Sequence, residues 1–233
     1  MQNYIQAPLP FQGQKRRFYC AFKQALNEFQ KKTIFVDLFG GSGFLSHTVK
    51  QTLPGARVIY NDFDDYHVRL ANIKRTNAIL ADIRAMLSSH AAEKKLSDEQ
   101  REKVLERITK ETGYIDYITL SSNLLFSMKY VLNFEDLSKS TMYNCVRKSD
   151  YPLCDDYLRG VDIVKMDYKE LYKQYRNVPG VVFLVDPPYL STDTTTYSKK
   201  SYWKLSDYLD VLSVIQNSSY FYFTSNKSEI IAQ

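Results

Sequence analysis

The stretch Val181 to Leu190, VVFLVDPPYL, restricts what this chain can fold into more than any other. An unbroken apolar run, with Pro179 and Gly180 before it and a proline pair after it, predicts a strand buried on both faces of a parallel sheet. In open α/β sheets, ligands bind beyond the carboxyl ends of such strands. Each proline fixes its own φ and lacks an N–H, so the chain leaves the strand at Asp186 and Pro187 in an extended path with no sheet partner to donate to. The Asp186 carboxylate and the adjacent carbonyls then stand as acceptors beside the Tyr189 ring, an arrangement suited to a planar ring bearing an amino group. Taken alone, the stretch also reads as a strand followed by an ordinary proline turn.

A second short apolar run, Thr33 to Leu38 (TIFVDL), leads into FGGSGFLSHTVK. Gly40, Gly41 and Gly43 permit a tight turn with close backbone approach, and the residues after them predict a helix whose N-terminal amides point back into the turn. Val58, Ile59 and Tyr60 form a third strand ending at Asn61 and Asp62. Asp62 lies roughly 20 residues beyond the glycines, where a βαβ nucleotide site places a carboxylate for ribose hydroxyls. Gly41, Gly43 and Ser46 approximate GxGxxG, so a dinucleotide-dependent dehydrogenase competes here. Hydride transfer, however, has no use for the DPPY strand. Upstream, Phe18, Phe22, Ala25, Leu26 and Phe29 fall on one face of a helix. Lys15, Arg16 and Arg17 stand at its mouth, where a lysine is ordinarily a solvated charge.

From about Tyr66 to about Arg159 the βα alternation lapses. Residues 66–90 predict helix, and Leu96 to Thr112 predicts another, capped by Ser97, with Asp98 and Glu99 in its first turn and Gly113 ending it. A polar and aromatic tract follows to Asp156. Strands return at Val161 to Lys165, at Val181 and at YFYF, which ends on Ser225 and Asn226; helices are expected to about Tyr175 and from about Ser206 to Gln216. STDTTTYSKKSYW has no apolar period and reads as a polar loop. The domain expectation is therefore residues 1–65 with 160–233 as one α/β domain, and 66–159 inserted. The 19 tyrosines and 13 phenylalanines suit stacking on bases as well as they suit an aromatic core, and the net charge of +5 biases the chain only mildly towards polyanions. Cys20, Cys145 and Cys154 form no CxxC pair, which argues against a zinc ribbon or disulfide framework and for a reducing, cytoplasmic setting. His47, His67 and His90 lack metal-ligand spacing, so no metal site is expected. There is no signal peptide and no membrane-length apolar run.

In order, the chain presents PFQGQK, VDLFGGSG, YNDFDD, the insertion, KMDY, VDPPY and TSN. This resembles the alpha group of Dam-type adenine-specific DNA methyltransferases over nearly all of the chain outside the insertion. The resemblance implies a Rossmann-like class I methyltransferase sheet, S-adenosylmethionine as cofactor, and a mostly helical insertion that reads the target. Phe11, Lys15, Asp37, Phe39, Gly41, Gly43, Asp62, Asp167 and Tyr168 match its cofactor positions, and Asp186, Pro187, Pro188 and Tyr189 match its catalytic tetrad. Double-stranded DNA is the implied partner, with a cognate restriction endonuclease as a further one, and a monomer is expected. Two departures stand out. Gln14 replaces the second glycine of the N-terminal motif, and the family's last helix and β-hairpin have no residues here, so its C-terminal strands are expected to be missing. An RNA adenine methyltransferase and a DNA-binding relative with weakened catalysis remain the alternatives.

Overall fold

The computed structural model describes residues 4–29, 33–126, 129–188 and 204–224. The chain divides into two compact units, one made of residues 1–7, 12–66 and 156–233, the other of 8–11 and 67–155.

The first unit is built on a parallel sheet of five strands: β1 (Ile34–Asp37), β2 (Arg57–Asn61), β3 (Asp162–Val164), β4 (Val181–Val185) and β5 (Tyr220–Tyr222). Their order across the sheet is β3-β2-β1-β4-β5. The chain steps outwards from β1 through β2 to β3, then crosses back to lay β4 on the other side of β1. In register, Asp37 of β1 lies opposite Tyr60 on one side and Leu184 on the other. All five residues of β4 are buried, as an apolar run with no polar alternation requires.

Side chains leave a strand alternately to its two faces, and β4 divides accordingly. Val182 and Leu184 pack with Phe35 and Val58 against Phe22 and Leu26 of α1 (Tyr19–Leu26) and Leu45 and Val49 of α2 (Phe44–Thr52). Phe183 and Val185 pack with Val36 and Ile59 against Leu171 and Tyr172 of α8 (Tyr168–Tyr175) and Val211 and Ile215 of α9 (Leu205–Ile215). Burial of each such side chain contributes about 1.5–3 kcal/mol. The sheet is thus covered on both faces, the Rossmann-like arrangement expected, and its strand ends are held rigidly.

The second unit is helical among its described residues. The stretch 66–90 does not form one helix: α3 (Tyr66–Ala71) and α4 (Ile73–Met86) are separated at Asn72, whose backbone leaves helical geometry at φ −104° and ψ 15°. Its side-chain amide donates to the Val68 carbonyl at 2.8 Å, the local hydrogen bonding by which asparagine competes with a helix ladder. α5 (Asp98–Thr109) opens with a capping box between Ser97 and Gln100, and ends before Gly113. α6 (Tyr117–Leu124) and α7 (Phe134–Lys139) complete the unit. Where the tract lacks ladders, side chains replace them. Asn77 and Tyr151 exchange hydrogen bonds at 2.8 and 2.9 Å, and Asn123 accepts from the Arg147 amide at 3.0 Å. The expected polar loop after Leu190 and the strand end at Ser225 and Asn226 lie outside the described residues.

Candidate active site

The crossover that places β4 beside β1 creates a topological switch point, the place where open α/β sheets bind ligands. Two carboxylates arrive there. Asp37 is the last residue of β1, Asp186 follows the last residue of β4, and the strands are tied at this level by the Leu38 amide donating to the Leu184 carbonyl at 3.0 Å.

Lys15 joins them from the N-terminal segment. Its Nζ sits 2.6 Å from Asp186 Oδ2 and donates to the Gly13 carbonyl at 2.6 Å, and the side chain is buried. The solvated charge expected at a helix mouth is therefore a buried counter-ion. The second carboxylate oxygen, Asp186 Oδ1, is buried with no hydrogen-bond partner among the described residues. Burial raises the Asp186 pKa to about 6 against the lowering pull of the Lys15 charge and hydrogen bond. Asp37 is wholly buried. Its Oδ2 accepts from Ser46 Oγ at 2.7 Å, while Oδ1 has no partner among the described residues. Burial, and secondarily the Asp186 charge, lift its pKa to about 7, with the Ser46 hydrogen bond and Lys15 opposing. Lys15 pairs with the partly buried Asp186 and acts on the buried Asp37 only through its charge, and each carboxylate has one oxygen with no partner among the described residues.

The glycine turn lies beside them. Gly41 and Gly43 have φ of 51° and 67°, the left-handed region that glycine enters without penalty. A Cβ on Gly40 would fall 2.2 Å from the Tyr60 ring, so the turn presses against β2. The Tyr60 hydroxyl donates to the Gly41 carbonyl at 2.7 Å. Burial first, and then the Asp62 and Asp37 charges, raise its pKa far above the ordinary phenol value, which keeps it a donor.

Asn61 is a buried hub. Its Nδ2 donates to the carbonyls of Leu38 and Met166, each at 2.9 Å, and its Oδ1 accepts from the Met166 amide at 3.0 Å. One side chain thus fastens the carboxyl ends of β1, β2 and β3 together. This brings the rings of Phe39 and Tyr168 to 4.9 Å, tilted by 35°, forming an aromatic pair from two assigned cofactor positions. Asp167 caps α8 through the Lys169 amide at 2.8 Å. Asp62 is fully buried, and one of its oxygens accepts from the Tyr66 amide at 2.7 Å. Pro187 is buried and Pro188 exposed. Phe11 belongs to the second unit, and Tyr189 lies outside the described residues. Gln14, in place of the glycine, accepts from the Ala7 amide at 3.3 Å.

Residues 11–219 match the family described as D12 class N6 adenine-specific DNA methyltransferase. A protein of Haemophilus influenzae (strain ATCC 51907 / DSM 11121 / KW20 / Rd), named "Putative methyltransferase", is 41% identical over 236 aligned residues, covering 99% of this chain and 79% of that one. The chain belongs to the D12 class of N6 adenine-specific DNA methyltransferases.

Every site position assigned from sequence, Phe11 through Tyr189, falls inside the family match. Methyltransferases of this class generally use S-adenosylmethionine. The glycine turn and the buried, unpartnered Asp37 Oδ1 fit such a group, since one supplies close backbone approach and the other an acceptor for a donor-bearing ligand. Among the described residues, no group of three or more His, Cys, Asp or Glu could hold a metal ion, and no helix is long and apolar enough to cross a membrane. Sequence reading missed two residues, Tyr60 and Asn61, which had a faint signal as polar groups ending an apolar strand.

Proposed function

We propose that this protein transfers a methyl group from S-adenosylmethionine to the exocyclic amine of an adenine taken out of duplex DNA. The observation that carries the reading is the state of Asp186: one oxygen is held by Lys15 at 2.6 Å, and the other is buried with no partner among the described residues at the switch point of the sheet. An adenine amine has two protons to give and a lone pair delocalised into its ring. A carboxylate oxygen and the Pro187 carbonyl accepting hydrogen bonds from those two N–H groups favour a more tetrahedral nitrogen, whose lone pair can attack.

When bound, S-adenosylmethionine supplies a methyl group already activated on a sulfonium. The residues of the sheet unit that would hold it are Lys15, Asp37, Phe39, Gly41, Gly43, Asp62, Asp167 and Tyr168. The Phe39 and Tyr168 rings offer flat apolar faces, and Asp37 offers an acceptor. Asp186 orients the amine, and Lys15 both orients Asp186 and favours its ionised form. The base must leave the helical stack to reach such a site, which costs about a few kcal/mol; phosphate contacts by basic residues and readout by the second unit would offset that cost.

Labelled S-adenosylmethionine offered with duplex DNA or with structured RNA tests this directly. N6-methyladenine in the DNA is the expected product. Label found only in RNA, or in neither polymer, would sink the proposal.

A further inference from the structure

Tyr157 lies in the stretch read from sequence as the inserted part of the chain, yet its contacts are with the glycine turn. Its hydroxyl donates to the Ser42 carbonyl at 3.1 Å. With Tyr60 on the Gly41 carbonyl at 2.7 Å, two tyrosine hydroxyls take two consecutive carbonyls of the turn. A peptide unit is planar and trans, so fixing a C=O direction fixes that of the following N–H. The Gly43 amide is thereby aimed at the Gly40 carbonyl, which it meets at 2.8 Å, and the Ser42 amide points away from Tyr60. The neighbouring Leu158 closes the same side, since a Cβ on Gly43 would fall 2.8 Å from its Cδ2.

Tyr157 is itself held from several directions. Its ring stacks on the His47 ring at 4.6 Å and 17°, and the Tyr4 ring stands nearly perpendicular to both, with centroids at 5.2 Å. The Tyr4 hydroxyl donates to Asp156 Oδ1 at 2.8 Å. His47 Nδ1 lies 2.7 Å from the Tyr157 carbonyl. A carbonyl only accepts, so that nitrogen carries a proton. Burial lowers the His47 pKa, which keeps the imidazole neutral against the Tyr157 ring. Tyr157 is thus buried and fixed, with its hydroxyl aimed at the turn.

We infer that Tyr157 is a positioning residue of the cofactor turn: it touches no reacting atom and acts by fixing the Ser42–Gly43 peptide, and with it the shape of the turn that the cofactor meets. This rests on the reading of that turn as the S-adenosylmethionine site.

Tyr157→Phe removes the hydroxyl and leaves the stack. By titration calorimetry, its dissociation constant for S-adenosylmethionine should rise about fivefold, the usual worth of one hydrogen bond, with kcat at saturating cofactor and KM for DNA within about twofold. Introducing 2,3-difluorotyrosine at position 157 restores a hydroxyl that donates more strongly, and should return the dissociation constant to the wild-type value or below. A merely structural tyrosine would lower the melting temperature while leaving the dissociation constant, measured well below melting, unchanged in both variants. That result overturns the positioning role alone. Failure of the wild-type protein to bind S-adenosylmethionine overturns the cofactor reading, and this role with it.

Discussion

Asp116 of the helical unit differs from Asp37 and Asp186 of the sheet unit in how its oxygens are used. Asp116 of the helical unit spends both oxygens. Oδ2 receives the Arg69 guanidinium at 3.0 Å and the Thr119 hydroxyl at 2.6 Å, and Oδ1 receives the Thr119 amide at 3.0 Å. Arg69 also donates to the Pro10 carbonyl at 2.8 Å and to Thr119 Oγ1 at 3.1 Å, tying the short 8–11 segment into the unit. In the sheet unit, Asp37 and Asp186 each spend one oxygen and leave the other buried and unpartnered among the described residues. Burying a polar atom without a partner costs about 1–3 kcal/mol. Asp116 spends both oxygens on the fold, whereas Asp37 and Asp186 each keep an acceptor that the described residues do not use.

The contrast can be broken by substitution, and the largest expected effect is in the helical unit. Arg69→Met leaves Asp116 buried without its counter-ion and should cost about 3–5 kcal/mol of stability, read as a lowered urea midpoint; a loss under about 1 kcal/mol would show that Asp116 is not structural. Asp186→Ala should cost about 2.7–4 kcal/mol of transition-state stabilisation in a single-turnover methylation assay and, because it leaves buried Lys15 without its counter-ion, should lower the urea midpoint as well. Normal methylation by that variant would remove Asp186 from the chemistry.

Asp37 should behave in the opposite sense to Asp116. Its carboxyl titrates near 3.8 when unfolded and at about 7 when folded, so between those values the folded state holds a proton that the unfolded state has released. Stability from this group therefore falls as pH rises from about 4 to 7, and the penalty is constant above that. Asp37→Asn should raise stability at pH 8 by roughly 1–3 kcal/mol and flatten the decline in melting temperature between pH 5 and 8, while weakening cofactor binding. Calorimetric scans across pH check both; a destabilised variant at pH 8 would place Asp37 with Asp116. The smallest effect concerns Lys15. The rate at saturating cofactor should rise with pH through about 6, where Asp186 ionises, and Lys15→Gln, by removing the cation that favours ionisation, should move that rise upward by about one pH unit. An unmoved profile would mean that Lys15 does not govern Asp186.

Much of the sheet unit was legible because its signals are local. The Val181–Val185 run, the turn glycines and the Asp186 exit are written in consecutive residues whose sterics leave few options. The resemblance named nearly every loop, and the five parallel strands followed. What stayed hidden was pairing between distant segments. Nothing near Lys15 announces Asp186, nothing in DDYLRG announces a hydroxyl on the Ser42 carbonyl, and Asn61 looks like any polar residue at a strand end until Met166 arrives beside it. In the helical unit, the α5 capping box was readable from Ser97, while the helix break at Asn72 depended on a side-chain bond that competes quietly within an otherwise helical pattern.

The position of β1 at the centre of the sheet has a consequence for how the molecule comes into being. On a ribosome, Ile34–Asp37 is made early, and β2 can pair with one side of it soon afterwards. The other side waits for Val181–Val185, which follows the whole helical unit. At about 5–20 residues per second that interval is on the order of ten seconds. Throughout it, an apolar strand with a row of open amides and carbonyls is offered to any passing chain. Chaperone dependence of the nascent protein should therefore peak before residue 181 emerges and fall once β4 has docked.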